Sequence, residues 1–78
     1  MDDTYSKLIG EHLKEVRLQK RLSLRQMEER TGITFSGIAK YERGRPVDLN
    51  RLRILCEQGL KVNMIDFLTE VHKKYHEK

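Results

Sequence analysis

The stretch Gly32-Ile33-Thr34-Phe35-Ser36-Gly37-Ile38-Ala39-Lys40-Tyr41-Glu42-Arg43-Gly44-Arg45 holds the residues best placed to act on something outside the chain. Wound at about 100° per residue, Ile38, Tyr41 and Glu42 gather on one side, and Ser36, Ala39, Lys40 and Arg43 on the other. The second side carries hydrogen-bond donors and positive charge, the chemistry of anion and base-edge recognition. Phe35 lies only about 60° from Ile38 on this projection and could belong to either side. No nucleophile stands beside a base, no glycine-rich phosphate loop occurs, and no carboxylates pair in an apolar setting. A non-enzyme is expected. His72 and His76 are four apart, but with no third ligand near them a solvated helix end is the expectation, and no metal or cofactor is assigned.

A helix of about nine residues is marginal alone, so other elements must hold it out. Thr34 is a suitable N-cap, and Gly32 and Gly44 bracket it. Upstream, Tyr5, Leu8, Ile9, Leu13 and Val16 follow helical spacing over residues 5–20. Ser23-Leu24-Arg25-Gln26 has the capping-box pattern and opens a helix running to Thr31. Two helices of about eight residues joined by a short turn containing glycine form a helix-turn-helix pattern. Downstream, Asp48 caps a helix expected over 49–58 and stopped by Gly59. Asn63 caps a last one carrying Ile65, Phe67, Leu68, Val71 and Tyr75. No alternation of strand length appears, so the expected class is all-α, five helices in a single domain over residues 1–78, with frayed first residues and a charged tail at 71–78.

The net charge of +4 is unevenly placed. Residues 14–53 hold eleven Lys/Arg against five Asp/Glu, while the two ends hold five against seven. Such a positive centre favours a polyanion as partner. No run approaches the roughly eighteen apolar residues of a membrane span, and no signal-peptide pattern is present. The single Cys56 fits a reducing cytoplasm and reads as a small apolar core residue.

The ordered set Ile9-Gly10, Arg17, Leu22-Ser23, Met27, Gly32-Ile33-Thr34, Ile38, Tyr41-Glu42-Arg43-Gly44, Leu52 and Ile65 resembles the phage-repressor-like (Xre/Cro-type) helix-turn-helix DNA-binding domain over about residues 8–70. The resemblance implies a compact lambda-repressor-like fold and a dimeric DNA-binding regulator, a repressor acting on an inverted-repeat operator, with the third helix in the major groove. It places Phe35, Ser36, Gly37, Ala39 and Lys40 at base edges, and Arg25, Thr34, Arg43 and Arg45 at phosphates. It sets Arg17 against Glu42 as a buried structural ion pair. Two residues depart from the family pattern. Leu24 stands where many relatives carry a Gln that bonds a phosphate and braces a base-reading side chain. Glu28 stands where Ala is preferred, so its carboxylate must snorkel out, find a cation or push helices apart.

One domain offers few base contacts, so a homodimer is expected, joined through the exposed apolar face of the last helix at Phe67, Val71 and Tyr75. The alternative placement has Phe67 and Val71 covering the first helix. A second function class, a protein–protein adaptor or antirepressor with the same fold, is favoured by Leu24 and Glu28. DNA binding is favoured by Lys40, Arg43, Arg45 and the basic centre. A protein partner could regulate either activity.

Overall fold

Local hydrogen-bond chemistry sets the helix boundaries. In the computed structural model, which describes residues 3–77, the helices are α1 (Thr4–Gln19), α2 (Leu24–Thr31), α3 (Phe35–Glu42), α4 (Leu49–Arg53) and α5 (Met64–Glu77). A wider π-helical segment, Ile54–Leu60, continues α4. Among the described residues there is no strand, and the fold is the all-helical lambda-repressor-like one.

The Ser23 hydroxyl accepts from the Gln26 amide at 3.0 Å, and the Gln26 side chain accepts from the Ser23 amide at 2.8 Å, a complete capping box. Gly32 ends α2 at a φ of +78°, a left-handed value that few side-chain-bearing residues adopt. Thr34 then caps α3 by accepting from the Gly37 amide, and Asp48 caps α4 by accepting from that of Arg51. The Asn63 side-chain oxygen accepts from both Ile65 and Asp66 at the start of α5. These caps satisfy amides that have no partner inside their own helices.

Three expectations need correction. The first helix begins one residue earlier than expected, at Thr4, and the part of the fraying expectation that falls on Met1 and Asp2 lies outside the described residues. Gly59 does not stop the fourth helix. It sits inside the widened segment, and the chain turns out at Lys61, with φ +60°. The widening places Leu55, Cys56, Gly59 and Leu60 all against the core, a spacing of four to five that a regular helix would spread further round. Gly59 is needed for approach, since a Cβ there would stand 2.6 Å from Met27 Cε and 2.9 Å from Thr31 Cγ2. Finally, Phe67 and Val71 are not exposed. They are 3% and 0% accessible, packed in the core where α5 meets α1.

The core that results is Leu8 and Leu13 of α1, Leu22 of the turn after it, Met27 of α2, Ile38 of α3, Leu52, Leu55, Cys56 and Leu60 of the fourth helical stretch, and the two α5 residues. Every helix therefore delivers at least one side chain to one core. Full burial of each such aliphatic side chain contributes about 1.5–3 kcal/mol. Ile38 is the only fully buried residue of α3, and with the half-buried Tyr41 and the ends of the helix it holds α3 to the core.

Candidate nucleic-acid interface

The ends of α3 are fixed by α1 and α2. At its C-terminal end the Arg17 guanidinium grips Glu42 as a fork, with Nε donating to Oε2 at 2.6 Å and one terminal nitrogen donating to Oε1 at 3.1 Å. The remaining nitrogen donates to the Leu22 carbonyl at 2.8 Å. The two side chains are 10% and 7% accessible, so both charges are largely dry and their mutual neutralisation is a condition of folding. Gly10 completes this junction: a Cβ there would stand 2.3 Å from the Tyr41 carbonyl oxygen and 2.8 Å from that of Glu42. Only a residue without Cβ lets the α1 backbone come so close to the last turn of α3.

At the N-terminal end, Glu28 finds a partner that none of the three expectations named. Its Oε1 accepts from the backbone amide of Phe35 at 2.9 Å. Thr34 serves the Gly37 amide and Glu28 serves the Phe35 amide, so α2 and the cap share the free donors of the first turn. The carboxylate also lies at the positive end of the α3 dipole, a favourable place for it.

With its ends fixed, α3 turns Phe35, Ser36 and Lys40 outward; Gly37 and Ala39 are half-buried beside them. The ambiguity over Phe35 resolves toward solvent, at 39% exposure, with the Arg25 guanidinium 4.7 Å from its ring centroid. Beside this ridge lie two concavities. One, of about 310 Å³, is lined by Thr34, Ser36, Lys40, Tyr41, Arg45 and Arg51. The other, of about 250 Å³, includes Lys14, Leu24, Ala39 and Arg43. The structure thus gathers the residues named for base edges and for phosphates onto one surface, Arg25 over one end and Arg43 and Arg45 flanking the other. Two cations join them that sequence reading missed. Arg51 was hidden by its place in the first turn of α4, where it pairs with the capping Asp48 at 3.4 Å. Lys14 is an exposed residue of α1, and nothing in its local pattern points toward α3. Leu24 is half-buried and packs on the core, while Arg25 beside it is exposed.

Other titratable groups play structural parts. His12 is buried against the Phe67 ring at 4.7 Å, and its Nδ1 accepts from the Lys74 ammonium at 3.0 Å. Burial, and then Lys74, push its pKa below 6.5, against the opposing pull of Glu15 and Glu70. Lys74 also donates to Glu15, and this hydrogen bond lowers that carboxyl's pKa. Desolvation, and then Glu57, raise the Cys56 thiol to about 12, so it is an unreactive core residue. His72 and His76 meet Nε2 to Nε2 at 3.0 Å, with the Tyr5 hydroxyl bonded to His72 Nδ1. Among the described residues no group of three or more metal-ligating side chains converges, and no helix is long and apolar enough to cross a membrane.

A sequence model described as "Helix-turn-helix" matches residues 13–59, which take in the C-terminal part of α1, all of α2 and α3, and the fourth helical stretch as far as Gly59. No curated protein and no solved structure matches the chain. With the match covering more than half of the sequence and α2–turn–α3 holding a basic outward face, the chain belongs to the Xre/Cro-type helix-turn-helix family of DNA-binding regulators.

Proposed function

We propose that this protein is a sequence-specific transcriptional repressor that binds an inverted-repeat operator as a homodimer, with α3 in the major groove. The observation that carries the reading is the outward ridge of α3, where Ser36 and Lys40 stand between concavities lined by Arg45 and Arg51 on one side and by Lys14 and Arg43 on the other. Lys40 can donate to guanine O6 or N7, Ser36 can pair with several bases, and Phe35 and Ala39 suit a thymine methyl, while Gly37 lets the backbone approach. Arg25, Arg43, Arg45, Arg51 and the capped Thr34 turn are the phosphate contacts, which fix register and supply most of the affinity. The whole of residues 1–78 forms one such unit.

The second copy docks on the outer side of α5. Ile65 is 63% exposed there, and with Tyr5, Leu68, Thr69 and His72 it lines a groove of about 550 Å³. Tyr75 borders this face, its ring 5.4 Å from that of Tyr5. A second copy is the occupant because two recognition helices about 34 Å apart along the DNA double the few base contacts that one domain of this size can make.

The test is binding of the full chain to DNA from upstream of its own gene and to a scrambled duplex, by fluorescence anisotropy over a salt series. Specific binding about 10³-fold or more tighter than to the scrambled duplex is expected, each affinity falling linearly on a log–log plot against salt. Equal affinity for both duplexes would remove the operator reading. Absence of DNA binding at low salt would favour the adaptor, for which the groove on α5 is the available protein-docking surface.

A further inference from the structure

We propose that Glu28 and Arg25 of α2 determine base preference through Phe35, by holding its ring to meet the 5-methyl group of a thymine. This rests on the DNA-reading role of α3. Phe35 is the first residue of α3, the point where a helix is ordinarily loosest, yet α2 holds it at two places. Glu28 Oε1 takes its backbone amide at 2.9 Å, which fixes the direction of its Cα–Cβ bond. The Arg25 guanidinium lies over the ring at 4.7 Å from the centroid, a cation–π contact that selects one ring orientation. Glu28 and Arg25 are three apart on α2 and so occupy neighbouring turns of one face.

What remains exposed is an apolar ring edge that can neither donate nor accept. Thymine alone among the four bases carries a methyl group into the major groove, so such an edge favours thymine. The polar edges of the other bases would lose water against it without gaining a hydrogen bond. Glu28 and Arg25 are thus positioning residues. Glu28 needs no base contact of its own, and Arg25 adds an orienting role to its phosphate contact.

The test begins with selection of duplexes by the full chain from a library randomised over about twenty base pairs, enough for two half-sites a turn apart. The position that Phe35→Ala relaxes is then changed from thymine to uracil, which removes only the methyl group. The wild-type protein is expected to bind the uracil duplex about fourfold more weakly, the worth of one buried methyl-sized group. Phe35→Ala should show no difference between the two duplexes. Glu28→Ala should lose most of the discrimination, and Glu28→Gln, which keeps an acceptor for the Phe35 amide, should retain it. A merely structural Glu28 would lower the melting temperature and weaken all duplexes alike with the thymine–uracil ratio intact, and that result overturns the proposal. If Glu28→Ala fails to fold, Arg25→Ala, at an exposed position, supplies the same readout, and an unchanged ratio there overturns it equally. A consensus without a thymine at the Phe35 position overturns this inference alone. Failure to select any consensus removes the DNA-reading role beneath it.

Discussion

Arg17 and Glu42 show how a charged residue can be structural in a protein whose charges otherwise face outward. Each has taken a nearly dry position that would be costly for either alone, and the fork between them offsets that cost. Glu42→Gln leaves the guanidinium without its counter-charge, so a loss of roughly 3–5 kcal/mol is expected in denaturant melts. The Arg17→Met/Glu42→Leu double variant should recover part of it, because neither charge is then buried. If Arg17→Met and Glu42→Leu measured singly add up to the double variant, the pair is not energetically coupled. The family resemblance made this pair legible, since both residues sit at expected positions. Glu28 was not legible in the same way. Side-chain patterns reveal side-chain partners, and the partner of Glu28 is a backbone amide seven residues along, visible only once α2 and α3 are set against each other.

His12 adds a pH dependence that belongs to the same scale. Its native imidazole is buried and resists protonation, while the unfolded one takes a proton near the ordinary 6.5. Below that pH the unfolded chain holds more protons, so stability falls as pH drops and levels off beneath the native pKa. Glu15, also lowered, continues the trend below its ordinary 4.5. Thermal melts should therefore fall from pH 7 to 5, and a His12→Phe variant that still folds should show a flatter profile over that range. An unchanged profile would mean that His12 is not held neutral.

At the scale of elements, the caps at Ser23, Thr34, Asp48 and Asn63 were readable in advance, because a cap is made within a few residues of itself. Glycines were less readable. A glycine at a helix end and one that admits a neighbouring helix look alike in sequence, which is why Gly59 reads there as a stop. The structure separates them by what each would meet. At Gly10 an added methyl group runs into the Tyr41 and Glu42 carbonyls, and at Gly59 it meets mainly the flexible end of Met27 and the Thr31 methyl. Gly10→Ala is expected to cost about 3 kcal/mol and Gly59→Ala less, since a methionine can swing aside and a helix backbone cannot. Calorimetric melts that rank them the other way would show that α1 can shift along α3.

For the whole molecule, the open question in the sequence was which face of α5 the core uses. Ile65, Phe67, Leu68, Val71 and Tyr75 cover more than one side of the helix, and periodicity does not say which side meets α1. The structure gives Phe67 and Val71 to the core and leaves Ile65 and Leu68 around the groove. Substitution by Asp at Phe67 or Val71 should consequently unfold the protein. Ile65→Asp should leave a folded monomer in sedimentation, with much weaker binding to the full inverted repeat and little change on a single half-site. A wild-type protein that sediments as a monomer at binding concentrations and protects one half-site would rule the dimer out.

The central claim, that α3 reads bases while the flanking cations hold phosphates, is tested most directly at Lys40. Affinities of the wild-type protein, Lys40→Ala and Arg45→Ala should be measured against the selected operator and its single-base variants across a salt series. Lys40→Ala is predicted to cost about 1–3 kcal/mol on the operator and to flatten preference at one position per half-site. Arg45→Ala should weaken all sequences alike and lower the salt slope by about one. A Lys40→Ala protein that ranks the variants as the wild type does would contradict the account.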